Sequence, residues 1–127
     1  MIVGAAIVEL MVHDSRSLKR KRGVVRSVIQ RVRNRFNLSV AEVGGQGTWQ
    51  LAVIGLACTG TDAVGVRRQL DRALEFIEEL HLAEVLGSDV EITDLPYEGM
   101  GQPGDPGIEE GSEVLAGEDG DPWEPET

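Results

Sequence analysis

Two runs of this chain, residues 2–12 and 48–58, are apolar at both odd and even positions, and each leads through a short turn into a stretch of helical periodicity. That repeated pairing narrows the possible folds more than any other feature. In the first stretch, about Leu18 to Phe36, Leu18, Val25, Val28, Ile29, Val32 and Phe36 form one stripe. In the second, Ala63 to Leu80, Val66, Leu70, Ala73, Ile77 and Leu80 step by four, three, four and three. The second strand of each half is less apolar. Leu38–Val43 precedes a Gly44-Gly45-Gln46-Gly47 loop, and within Ala83–Leu95 Val90 and Ile92 alternate with Asp89, Glu91 and Thr93.

The order is therefore βαββαβ, the split βαβ or ferredoxin-like arrangement of the α+β class. It predicts a four-stranded antiparallel sheet with strands 1 and 3 central and both helices on one face. Strand 4, polar on alternate residues, belongs at an edge or on an open face. Ser15 or Ser17 caps the first helix, and the turn Thr59–Asp62 caps the second. Gly23 lies inside the first helix at a cost of ~1 kcal/mol against alanine, which suggests a close backbone approach there.

Pro96 ends the pattern. Residues 96–127 mix Gly, Pro, Asp and Glu with few apolar side chains, a composition expected to stay disordered. The domain is thus expected to span 1–95. Trp123 is an oddity in the tail, either an isolated apolar residue or a short docking anchor. The tail also decides how the charge is read. Residues 1–95 hold all 12 Lys and Arg and 12 of the 22 Asp and Glu, so the tail carries the whole net charge of −10. Overall acidity is then no argument against an anionic partner.

The basic residues are themselves concentrated. Nine of the 12 lie between Arg16 and Arg35, with no acid between Asp14 and Glu42. At 100° per residue, Lys19, Arg22, Arg26 and Arg33 fall on one flank of the apolar stripe. At 1.5 Å per residue that row is about 21 Å long. Such like charges repel one another and weaken an isolated helix. Three readings stand side by side: phosphate binding, most naturally on structured RNA or the ribosome; a solvated face; and a resting place for the acidic tail, which is long enough to reach it.

Catalytic patterns are missing from the sequence. His13 and His81 lack clustered carboxylates, and with one cysteine no metal spacing exists, so no metal or other cofactor is expected. Cys58 ends an apolar strand and reads as a small core residue; no disulfide can form within the chain, which fits a cytoplasmic location. The glycine loop is followed by a strand, not a helix, and so does not match a nucleotide-binding loop. The first residues are too short an apolar run for a membrane span. An enzyme remains the third reading, with a small-molecule site assembled between subunits. Base stacking on the sheet is disfavoured, since the central strands offer only Trp49. Trp49, Leu51 and Val53 share one face of strand 3. The face without helices then leaves an apolar patch, which suggests a homodimer or another protein contact with Trp49 near it.

Arg16-Ser17-Leu18-Lys19 with Lys21-Arg22, then Asn34-Arg35-Phe36-Asn37 and Ser39-Val40-Ala41-Glu42-Val43, then Trp49-Gln50, make the chain resemble the YlxP-like family, small bacterial proteins of unknown function. The resemblance covers about residues 1–95. It implies a ferredoxin-like fold, and it points to RNA or ribosome work because members are often encoded beside translation and ribosome-maturation factors. It implies no catalytic residue. Gly47 and Leu51 stand where many members carry an acidic and a basic residue.

Overall fold

The computed structural model describes residues 1–97. The chain divides into Met1–Leu95 and Pro96–Thr127; the acidic run and Trp123 lie outside the described residues. The first unit runs β1 (Ile2–Met11), α1 (Leu18–Arg35), β2 (Ser39–Gly44), β3 (Leu51–Gly60), α2 (Ala63–Leu80) and β4 (Glu84–Asp94). The sheet order is β2-β3-β1-β4, antiparallel throughout. This is the ferredoxin-like α+β fold, with β1 and β3 central and β4 at an edge.

The core lies between the helices and one sheet face. Ala6, Val8 and Leu10 of β1 and Ala52, Ile54 and Leu56 of β3 meet Val25, Val28 and Val32 of α1 and Val66, Leu70, Ala73 and Ile77 of α2. Sixteen hydrophobic residues are buried there or beside it. Gly4 is required at the α2 contact: a Cβ would stand 2.4 Å from a Val66 methyl and 2.8 Å from one of Leu70.

The helices begin with side-chain caps. The Ser17 hydroxyl accepts from the Arg20 amide at 3.1 Å, and Asp62 accepts from the Gly65 amide at 2.7 Å. Ser15, itself buried, donates to the Ser17 carbonyl. At the far end of α2, His81 takes the left-handed conformation, φ +54°.

The structure departs from the sequence pattern at three points. The two-sided apolar character of β1 does not mean two-sided burial, since Ala5, Ile7 and Glu9 are exposed on the helix-free face. Gly23 has no neighbour within 4 Å of where a Cβ would stand, so no close approach explains it. Strand β3 starts at Leu51 rather than Thr48, which leaves Trp49 in the loop ahead of the ladder. The reason is local. The Thr48 amide donates to the Gly45 carbonyl, its hydroxyl lies 3.0 Å from the carbonyls of both Gly45 and Leu51, and Gly45 sits at φ +79°. These bonds close a turn where ladder pairing would otherwise begin.

Candidate functional site

All Lys and Arg of the chain lie in α1, in α2 or in the turn before α1; the sheet has none. The helix-free face carries Ile7, Leu51 and Val43, all exposed, together with Glu9, Asp89 and Glu91. The helix layer is therefore basic along α1, while the opposite face is apolar and acidic.

On α1 the Lys19, Arg22, Arg26 and Arg33 side chains are all exposed. Arg33 donates to the Val40 carbonyl of β2 at 2.7 Å, which puts this flank of α1 on the side of the sheet edge formed by β2. That bond ties Arg33 partly to the fold. Among the described residues, Lys19, Arg22 and Arg26 have no ion pair or side-chain hydrogen bond. An exposed cation keeps its charge cheaply, and a row of them raises the local concentration of anions.

Lys21 belongs to the same basic run but lies elsewhere. It is 1 % exposed, as deeply buried as the apolar core itself. Its ammonium donates to the carbonyls of Gly45 at 2.6 Å and Leu51 at 3.0 Å, and stands 3.6 Å from Glu42 Oε2. An ammonium has three donors and no acceptor, and here two carbonyls and one carboxylate surround it. Glu42 Oε2 is buried without a hydrogen-bond partner, so the Lys21 charge is its compensation. Lys21 thus pins the β2–β3 loop from beneath, and that loop displays Trp49, 56 % exposed.

The sequence held a signal for this. Leu18, Lys21, Val25, Val28 and Val32 step by three, four, three and four, so Lys21 lies within the apolar stripe. Its neighbours in the Lys19–Arg22 run hid that position.

Arg35 turns the other way from Arg33. Its guanidinium lies over the Phe76 ring of α2 at 5.0 Å, and Phe76 packs edge-on against Phe36, ring centres 5.6 Å apart. Cys58, on the helix side of β3, is half-buried, and burial pushes its thiol pKa up. That disfavours the reactive thiolate. Among the described residues, no group of three His, Cys, Asp or Glu is placed to hold a metal, and no helix is long and apolar enough to cross a membrane. His13 pairs with Glu84 at 2.6 Å on the surface.

Residues 3–90 match the family model described as "Protein of unknown function (DUF503)". The chain belongs to the DUF503 family. Over 77 residues it is 39% identical to the uncharacterized protein YlxP of Bacillus subtilis (strain 168), covering 61% of this chain and 84% of that one. Solved structures resemble it more distantly. A de novo designed protein, Foldit4, aligns at 15% identity with a TM-score of 0.44 over 76% of this chain and all of the design. A variant of SnoaB, a cofactor-independent oxygenase from Streptomyces nogalater, aligns at 11% identity with a TM-score of 0.41 over 76% of this chain and 96% of that one.

Of the segments that carry the family resemblance, residues 16–22, Glu42 and Trp49-Gln50 come together at one end of the sheet, while residues 34–37 lie at the other end of α1. Ser17 caps α1, Lys21 reaches Glu42 and the Leu51 carbonyl, and the Gln50 carbonyl accepts from the Val12 amide at 2.7 Å. The quoted residues there hold a loop in place, and the exposed cations beside them are left for other work.

Proposed function

We propose that this chain is a non-enzymatic accessory protein of structured RNA, the ribosome included, which contacts backbone phosphates through Lys19, Arg22 and Arg26, with Arg33 at the end of the row. One observation carries the reading: every Lys and Arg lies on a helix or in the turn before α1, and the α1 row has no carboxylate within ion-pair distance among the described residues. The row is about 21 Å long. Phosphates along one strand of an RNA helix repeat on a scale that lets such a row meet several of them. Contacts of this kind position a nucleic acid without reading its bases. The acidic, apolar sheet face speaks against the stacking mode used by other open-sheet RNA binders.

The test is binding of a structured RNA hairpin by fluorescence anisotropy, for the full chain and for Arg22→Ala plus Arg26→Ala. The reading predicts binding at low salt that weakens in the double variant by tenfold or more, on the order of 1 kcal/mol per lost phosphate contact. Equal affinities would refute it.

A second reading is self-association through the helix-free face. Val43 lies against Gly55, which pairs with Ile7, so β2, β3 and β1 join into one apolar strip. Glu9, Asp89 and Glu91 confine that strip to half of the sheet. Light scattering across micromolar concentrations decides the matter, and a monomer throughout removes this reading.

A further inference from the structure

The α1 row accounts for only one side of the basic helix layer. Where α1 ends and α2 begins, a second cluster forms from residues far apart in sequence. A groove of about 510 Å³ lies there, with Arg35, Arg68 and Arg72 along its wall, together with Phe36 and Gln69. No carboxylate lines it. Among the described residues none of the three arginines has an ion pair.

Each wall is held by the fold. Arg35 is fixed by its stacking over Phe76. Gln69 donates to the Asn37 carbonyl at 3.2 Å, which ties α2 to the segment that follows α1. Arg68 and Arg72 are four residues apart, so they project from one flank of α2. Gly65, in the first turn of α2, completes the lining, with its amide already taken by the Asp62 cap, so the arginines alone supply the positive charge of the groove. A larger cavity of about 720 Å³ shares Arg68 and Arg72, but Asp71 and Glu75 line it as well, and Arg67 pairs with Asp71 at 3.7 Å. Its charges are largely balanced internally, whereas those of the smaller groove are not.

We infer that this interhelical groove is a phosphate-binding site, with Arg68 and Arg72 as the contacting residues and Arg35 as a fixed third cation. The planar guanidinium forks suit phosphate oxygens. The phosphate belongs either to a free phosphorylated small molecule or to the backbone of the RNA proposed above. Only the second source rests on that earlier reading.

The experiment uses the full chain, with inorganic pyrophosphate and an RNA hairpin as probes. Amide NMR shifts of Gly65 and Asn37 report on the groove. Arg68→Gln plus Arg72→Gln is compared with Arg22→Ala plus Arg26→Ala, and thermal melts confirm that both variants fold. The site predicts saturable shifts at Gly65 and Asn37 with pyrophosphate, weakened about tenfold or more by the groove variant and unchanged by the α1 variant. If the groove variant also weakens RNA binding, the phosphate is that of the RNA backbone. If RNA binding ignores the groove variant while pyrophosphate does not, the ligand is a free phosphorylated molecule. Pyrophosphate shifts that do not saturate, or that persist in the groove variant, overturn the site. Failure of RNA binding to respond to the α1 variant overturns only the earlier reading.

Discussion

Replacing Lys21 by methionine keeps the unbranched apolar stem and removes the charged ammonium at its end. The buried stem still fills its place beneath the β2–β3 loop. What is lost is the donor to two carbonyls, at 2.6 and 3.0 Å, and the cation 3.6 Å from Glu42. Hydrogen bonds from a charged group contribute about 1.5–3 kcal/mol each, and breaking a buried pair from one side costs about 3–5 kcal/mol. Glu42 retains 21% exposure, so its abandoned carboxylate can take up water. That places the expected loss in the lower half of the range, about 3–4 kcal/mol. A domain of this size is stable by roughly 5–14 kcal/mol in all. Urea denaturation followed by far-UV circular dichroism gives the loss directly, and the melting temperature should fall by about 12 °C or more. Glu42→Gln alone should cost about 1 kcal/mol, because Lys21 keeps its carbonyls. The double variant should cost less than the sum of the two, since neither partner is then stranded. A loss below about 1 kcal/mol for Lys21→Met, or strict additivity, would refute the claim that this pair holds the loop.

Other substitutions separate features that look alike in sequence. Gly23→Ala should stabilise the chain by up to ~1 kcal/mol, because the site is an open helix surface. Gly45→Ala should destabilise it by about 1–3 kcal/mol, since φ is +79° and a Cβ would stand 2.6 Å from the Leu51 carbonyl oxygen; thermal melts of the two variants check both signs. Cys58 should react with iodoacetamide more slowly in the folded chain than in urea at the same pH. Its thiol pKa is raised on folding, so its contribution to stability is complete below the unfolded value and is lost as pH rises through the folded one. An alkaline loss of stability should accordingly shrink in Cys58→Ser. If residues 96–127 compete for the basic helix, a chain ending at Leu95 should bind RNA more tightly than the full chain, by anisotropy at low salt.

The fold was largely legible because strand and helix periods differ and each appears twice in the same order. The spacing of Val66, Leu70, Ala73 and Ile77 marks a helix by itself, and those four residues are the buried ones of α2. Features that depend on a single residue were harder to read. Trp49 continued an apolar alternation, yet Thr48 and Gly45 close a turn that takes it out of the strand. Lys21 looked like one more surface cation in a basic run, although its spacing matched the core. Arg35, Arg68 and Arg72 share a groove only because the chain antiparallels its two helices, and no local spacing encodes that meeting.

The central claim concerns phosphate contacts made by the α1 row, and its most direct measurement is the salt dependence of RNA affinity. Each neutralised phosphate contributes about −0.7 to −0.9 to the slope of log affinity against log salt. With Lys19, Arg22 and Arg26 engaged, the account predicts a slope of about −2 or steeper for the full chain. Arg22→Ala plus Arg26→Ala should make it shallower by about 1.5. A slope that is the same in both proteins, or affinity that does not respond to salt, would contradict it.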